Sequence, residues 1–80
     1  MQTNEIAERV SRVLETRLCV DPRRITEAAK FDGDLAATSL DMVETIMSLE
    51  DEFGVEISDR DADGLETVGD VIALIRMKVP

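Results

Sequence analysis

The 80-residue chain contains no histidine, tryptophan or tyrosine and has a single cysteine, Cys19. Without histidine, a serine in this chain lacks the neighbouring base that usually takes its proton during nucleophilic catalysis. One cysteine cannot form an internal disulfide, and a lone thiol is typical of a reducing compartment. The sequence therefore predicts a cytoplasmic protein that is not an enzyme.

Aromatic residues are also scarce, with two Phe making up 2 % of the chain. The core must then be built from Leu, Ile, Val, Met and Ala, which favours packed helices over a β-sandwich. A chain of 80 residues is near the size at which a single core gives only marginal stability. We expect one domain spanning residues 1–80.

Basic residues are outnumbered by acidic ones. The chain has 9 Lys and Arg and 18 Asp and Glu, which gives a net charge of −9. Nucleic-acid binding needs clustered Lys and Arg, so this class is excluded, and basic proteins are the natural partners. The chain also has no apolar run long enough to cross a bilayer and no signal-peptide pattern. We therefore expect no membrane insertion.

Apolar periodicity predicts an all-α fold: a small four-helix bundle of three longer helices and one short helix. Helix one is predicted from Asn4 to Leu18, with Thr3 as its N-cap, and Asp21-Pro22 ends the pattern. A long loop, residues 23–38, joins helices one and two. Its predicted apolar anchors are Ile25, Phe31 and Leu35.

Helix two is predicted from Ser39 to Phe53, with Gly54 as the residue that ends it. Its predicted buried stripe is Leu40, Val43, Ile46, Met47 and Phe53, with Leu49 at the margin. A short helical turn is expected from Asp59 to about Gly64. The last helix is expected to start after Thr67, paired with Asp70 in a capping box, and its tail, residues 76–80, is expected to fray.

Ser39 lies where the long loop turns into an acidic, amphipathic helix. A helix start exposes free backbone amides and the positive end of the helix dipole, which stabilise an attached phosphate. The neighbours Ala36, Ala37 and Thr38 are small and leave the hydroxyl accessible. Because the chain lacks a catalytic base, we predict that another protein modifies Ser39.

The segment from Phe31 to Glu44 resembles the hallmark region of the acyl carrier proteins, the phosphopantetheine-dependent carriers of the fatty-acid and polyketide type. The resemblance covers nearly all 80 residues. It implies that a transferase attaches 4′-phosphopantetheine from coenzyme A to Ser39, and that the thiol of this arm carries acyl groups as thioesters. It also implies that the buried face of helices one, two and four can shelter the acyl chain.

The chain departs from the family pattern beside Ser39. The family usually has Gly-x-Asp-Ser-Leu, whereas this chain has Ala36-Ala37-Thr38-Ser39-Leu40. Thr38 can supply the capping oxygen of an Asp but not its charge. This loss of charge bears on how well a general-purpose transferase recognises the carrier.

Nine acidic residues and no basic residue lie between Lys30 and Arg60. Their clustering around helix two predicts weak, salt-sensitive docking to basic patches on partner enzymes. The resemblance implies that these partners are a phosphopantetheinyl transferase, a ketoacyl synthase, an acyltransferase or a reductase, and that the carrier is a monomer. The predicted docking residues are Asp41, Met42, Glu44, Met47, Glu50, Asp51, Glu56 and Ile57.

Two alternative functions stay open. The run from Asp59 to Gly64, with a carboxylate at the twelfth position, matches the calcium-loop pattern D-x-D-x-D-G and would use Asp59, Asp61, Asp63 and Asp70. This match is weakened because Asp70 replaces the usual Glu and because no helix leads directly into Asp59. The other alternative is a carrier-like protein-interaction domain in which Ser39 is unmodified.

Overall fold

The computed structural model describes residues 2–79, and this range is helical and contains no β-strand. The four α-helices are α1 (Thr3–Leu18), α2 (Ser39–Phe53), α3 (Asp59–Asp63) and α4 (Val68–Lys78), and a 3-10 turn (Pro22–Arg24) lies between α1 and α2. The predicted all-α fold with three longer helices and one short helix is confirmed. None of the helices in residues 2–79 has the length and apolarity needed to span a membrane.

The hydrophobic core forms where α1 packs against both α2 and α4. Residues of α1 at helical spacing are fully buried, namely Ile6, Val10 and Leu14. On α4 the buried residues are Val68, Val71, Ile72 and Ile75. Two of the predicted loop anchors, Phe31 and Leu35, are buried, and the third, Ile25, is half-buried. These anchors hold the long loop against the bundle.

The first helix ends at Leu18 as predicted, but it begins differently from the prediction. Thr3 is the first residue of α1 and Gln2 is its N-cap, so Thr3 as the capping residue is wrong. The helix ends because Cys19 adopts a left-handed conformation, with φ of 53°, and donates its N–H to the carbonyl of Glu15. Asp21 lies outside the helix and caps the 3-10 turn, where its side chain accepts from the N–H of Arg23.

The buried face of α2 is not the predicted stripe. Thr45 and Leu49 are fully buried, while Leu40, Val43 and Met47 are 66 %, 55 % and 59 % exposed. The prediction is wrong for Leu40, Val43 and Met47, because α2 carries apolar residues on two sides and spacing alone does not say which side meets α1. The side of α2 that packs against the core includes Met42, Ile46 and Phe53, which are half-buried.

Capping boxes start the three helices that follow the long loop. The pairs are Thr38 and Asp41 for α2, Ser58 and Asp61 for α3, and Thr67 and Asp70 for α4. In each pair the hydroxyl accepts from the acid's N–H and the carboxylate accepts from the capping residue's N–H, so two free donors are satisfied together. The box of α4 was predicted from sequence and is confirmed.

The last helix is longer than predicted. It runs to Lys78, whose ammonium pairs with a carboxylate of α3, so the prediction of a frayed tail is wrong for residues 76–78. Pro80, the end of the predicted tail, lies outside the described residues.

The long loop is tied to the start of α4 by backbone hydrogen bonds. Phe31 donates to the carbonyl of Glu66 at 3.0 Å, and Gly69 donates to the carbonyl of Glu27 at 2.9 Å. Between these two bonds, Val68 donates to Ala29 at 3.1 Å. Because of these bonds, the chain approaches α2 as an ordered segment and not as a free loop.

Candidate functional site

Ser39 is the first residue of α2 and is exposed to solvent. Immediately before it, Thr38 donates its N–H to Asp41 Oδ2 at 3.0 Å, and Asp41 donates its N–H to Thr38 Oγ1 at 3.1 Å. Thr38 therefore supplies the capping oxygen expected of it. The first amides of a helix have no carbonyl one turn earlier to bind, and they lie at the positive end of the dipole. An exposed hydroxyl in this position suits the attachment of a phosphate group.

The approach to Ser39 contains a strained residue. Ala36 has φ of 52°, in the left-handed region that residues with a Cβ rarely adopt. Its neighbours are held in place, because Leu35 donates to the carbonyl of Lys30 at 3.0 Å and Ala37 donates to that of Phe31 at 2.7 Å. This conformation was not predicted from the sequence. The available signal was the glycine that the resembled family has at this position.

A groove of about 490 Å³ leads from Ser39 between α2 and α3. Its apolar lining includes Met42, Val43, Ile46, Met47, Ala62 and Leu65, and its carboxylates are Glu50, Asp59 and Asp63. The expected shelter among helices one, two and four is instead occupied by packed core side chains such as Leu14 and Ile75. The space next to Ser39 thus lies on the α3 side of α2.

A second groove, of about 390 Å³, lies between α1 and α2. Polar and charged side chains dominate its lining, among them Arg12, Arg17, Ser48 and Asp51. Arg17 Nε donates to Ser48 Oγ across it at 2.6 Å. This groove shares no residue with the one that starts at Ser39, so we do not connect it with that serine.

Three exposed apolar residues, Leu40, Val43 and Met47, form a stripe along the solvent side of α2. Their spacing of three and four residues places them on the same side of the helix as Ser39. Two exposed acids, Glu44 and Asp51, lie on this side as well. We call these five residues, Leu40, Val43, Glu44, Met47 and Asp51, the outer face of α2.

The predicted docking residues fall into three environments. Exposed to solvent are Glu44, Met47, Asp51 and Glu56, and Met42 is half-buried beside the groove. Two carboxylates have structural bonds, since Asp41 belongs to the capping box and Glu50 Oε2 accepts from the N–H of Ile57 at 2.9 Å. Ile57 is 8 % exposed and packs in the core, and this burial does not support its prediction as a docking residue.

The four predicted calcium ligands have other partners or positions. Residues 59–63 form α3 instead of a metal-binding loop. Asp61 Oδ2 lies 3.1 Å from Lys78 Nζ, and this bond lowers the pKa of Asp61. Asp70 Oδ2 accepts from the N–H groups of Glu66 and Thr67, each at 3.0 Å, and these bonds lower the pKa of Asp70. Within residues 2–79 no group of three potential ligands comes together to hold a metal ion.

Comparison with known proteins finds similarity over almost the whole chain. Residues 6–75 match the family model described as "Phosphopantetheine attachment site". The acyl carrier protein of Thermosynechococcus vestitus is 49 % identical over 79 residues, which cover 99 % of this chain and 98 % of that protein. The matched range includes Ser39, both walls of its groove and the outer face of α2.

Proposed function

Because this chain belongs to the family of carriers with a phosphopantetheine attachment site, we propose that it is an acyl carrier protein whose arm is attached to Ser39. It is a carrier and not an enzyme, so its partners perform the chemistry on the cargo. The observation that supports Ser39 most directly is its position. It is exposed, it starts α2, and it lies at one end of an apolar groove.

When attached, 4′-phosphopantetheine supplies a thiol that holds acyl groups as thioesters. For the attachment, Ser39 Oγ forms a P–O bond while the bond to the nucleotide half of coenzyme A breaks. The hydroxyl proton passes to a base on the transferase, because this chain contains no histidine to accept it. The start of α2 then stabilises the phosphodiester through its free N–H groups and the helix dipole.

The groove between α2 and α3 is where we place the acyl chain. Its mostly aliphatic side chains suit a hydrocarbon, and its contact with Ser39 lets an arm attached there fold back into it. Burial of the chain in this groove removes apolar surface from water. It also shields the thioester from hydrolysis while the carrier moves between enzymes.

The outer face of α2 is where we place partner docking. Leu40, Val43 and Met47 offer apolar contact, and Glu44 and Asp51 offer charge that attracts a basic patch. Such a face fits enzymes of fatty acid synthesis that must bind the carrier briefly, among them the transferase, a ketoacyl synthase, an acyltransferase and a reductase. We propose that the carrier works as a monomer in the cytoplasm, where its exposed, free Cys19 stays reduced.

The intact mass of the protein tests attachment. The purified chain is incubated with coenzyme A and a broad-specificity phosphopantetheinyl transferase, alongside Ser39→Ala and the control Ser11→Ala, which removes a serine of α1. We expect the wild type and Ser11→Ala to gain one phosphopantetheine and Ser39→Ala to gain none. A gain by Ser39→Ala would place the arm elsewhere.

The alternative of an unmodified interaction domain is decided by the same measurement. No mass gain, even with transferases from the source organism, would favour that alternative. Thr38→Asp restores the charge that the family usually has before the serine. Loading of Thr38→Asp but not of the wild type would show that Thr38 blocks the attachment.

A further inference from the structure

The shortest helix forms one wall of the groove that starts at Ser39. α3 has five residues and lines the groove with Asp59, Ala62 and Asp63. Whereas α1 packs against α2 and α4, α3 makes few contacts with any other helix. A helix this short has little intrinsic stability, so its position depends on the bonds at its ends and sides.

Lys78, the last residue of α4, reaches α3 from outside the groove. Its Nζ lies 3.1 Å from Asp61 Oδ2, and the two side chains are 28 % and 31 % exposed. Among residues 2–79 this is the one ion pair that joins α3 to another helix. Just before α3, Glu50 Oε2 accepts from the N–H of Ile57, whose buried side chain anchors the connecting segment. The start of this wall is thus fixed by Ile57, and its middle by Lys78.

We propose that Lys78 is a positioning residue for the groove between α2 and α3: it ties α3 to α4 and so controls how easily the wall formed by α3 moves away from α2. This proposal rests on the proposed function to the extent that the groove holds an acyl chain. An ion pair that is partly exposed to water is weak and is screened by salt. A weak bond of this kind suits a wall that must open and close at each loading.

Variants of Lys78 isolate this bond better than variants of Asp61. The carboxylate of Asp61 also accepts from the N–H of Ser58 in the capping box, so its removal would disturb the start of α3 as well. Lys78→Gln removes the charge and leaves the box intact. Arg76→Gln is the matched control, because it removes a positive charge from the same turn of α4 without touching the bond to α3.

Hydrogen exchange in the unloaded protein tests the bond without reference to cargo. The reporter is the amide of Ala62 in α3, which donates to the carbonyl of the N-cap residue Ser58 at 2.9 Å. We expect exchange at this amide to be about two- to fivefold faster in Lys78→Gln, the range that an exposed ion pair supports. Arg76→Gln and the charge-conserving Lys78→Arg should exchange like the wild type. Unchanged exchange in Lys78→Gln would overturn the proposal.

Reactivity of a loaded thioester tests the effect on the groove. Each variant is loaded with an octanoyl arm, loading is verified by mass, and hydroxylamine is added. Hydroxylamine attacks the acyl carbonyl, so that a C–N bond forms, the C–S bond breaks and the thiol is released. We expect release to be about two- to fivefold faster in Lys78→Gln than in Arg76→Gln.

The two measurements separate this proposal from the proposed function. Faster exchange in Lys78→Gln with the same release rate as Arg76→Gln would show that α3 moves without controlling the groove, and would overturn the proposal. The function of the carrier would stand in that case, because loading had been verified. A protein that accepts no arm at all would instead contradict the proposed function, while the exchange result would still decide whether Lys78 holds α3.

Discussion

Arg9 of α1 binds Glu52 of α2 at two points. Its Nε donates to Glu52 Oε2 at 2.7 Å and its Nη2 donates to the main-chain carbonyl of Glu52, also at 2.7 Å. The same guanidinium lies 4.9 Å from the centre of the Phe53 ring. One side chain of α1 therefore satisfies a carbonyl in the last turn of α2, where helices leave such groups unpaired.

Replacing this guanidinium by an ammonium should destabilise the fold. Arg9→Lys keeps the charge but loses the planar fork that reaches two acceptors, so we expect the free energy of unfolding to fall by about 1 kcal/mol. Arg12→Lys, an exposed position on the same helix, should change it by less than about 0.5 kcal/mol. Urea unfolding of the three proteins measures both values. Equal stability of Arg9→Lys and wild type would show that the bond from Arg9 to the Glu52 carbonyl is not needed for stability.

The buried hydroxyl of Thr45 should make the core less stable than it could be. Thr45 is fully buried, and its Oγ1 has no hydrogen-bond partner among the described residues. Thr45→Val keeps the shape and removes the unpaired group, so we expect a gain of about 1 kcal/mol in thermal or urea unfolding. Thr16→Val serves as control, because Thr16 Oγ1 is exposed and donates to the carbonyl of Arg12. A loss of stability in Thr45→Val would mean that the hydroxyl is bonded in solution.

Relief of the strain before Ser39 should stabilise the loop. Ala36→Gly removes the Cβ from a left-handed residue, and we expect a gain of about 1 kcal/mol in the free energy of unfolding. Ala73→Gly, at an exposed position inside α4, should have the opposite sign and lose about 0.5–1 kcal/mol. If both substitutions destabilised the protein, Ala36 would not be left-handed in solution.

The dependence of the free energy of unfolding on pH should reflect carboxylates that accept backbone hydrogen bonds at the start of a helix. The pKa of Asp70 is lowered in the folded protein, mainly by the N–H groups of Glu66 and Thr67, so protonation favours the unfolded chain. The contribution of Asp70 to the free energy of unfolding is fully present above the pKa of about 3.9 that Asp has in the unfolded chain. This contribution is lost as the pH falls through the lower pKa of the folded protein.

The variant Asp70→Asn tests this pH dependence. We expect it to reduce the slope of the urea midpoint against pH in the acid range. The control Asp63→Asn removes an exposed carboxylate of α3. A slope in Asp70→Asn equal to that of the wild type would contradict the role assigned to Asp70.

Charge on the outer face of α2 should speed arm transfer. The double variant Glu44→Gln, Asp51→Asn removes two acids beside the apolar stripe, and we expect kcat/KM for arm transfer to fall about three- to tenfold at low salt. The reaction should also become less sensitive to added salt. The control Glu5→Gln, Glu8→Gln removes the same charge from exposed positions of α1 and should leave transfer unchanged. Equal losses in both double variants would point to net charge and not to this face.

Features that depend on local signals could be predicted from the sequence. Gly54 ends α2 with φ of 63°, and Thr67 with Asp70 starts α4, as their residue types indicated. The start of α2 at Ser39 was predicted as well, because a loop of small residues gives way there to helical spacing. Each of these features involves residues that are close in the chain.

Features that depend on packing between distant segments were missed. Leu40 and Met47 are as apolar as the residues that do pack, so their exposure follows from which side of α2 meets α1. Thr45 is polar, and its burial could not be read from helical spacing. The left-handed conformations of Cys19 and Ala36 also escaped prediction, because neither residue is a glycine. The groove depends on the placement of α3, and one of the bonds to this helix comes from Lys78, a residue assigned to a frayed tail.

The reciprocal bonds between Thr38 and Asp41 fix the backbone on both sides of Ser39 at the start of α2. A long flexible group attached at a fixed point sweeps a volume with a constant centre. Each partner enzyme then has to recognise only that centre and the surface around it, whatever the arm carries. A single carrier of this kind can thus offer chemically different cargoes from one and the same attachment point.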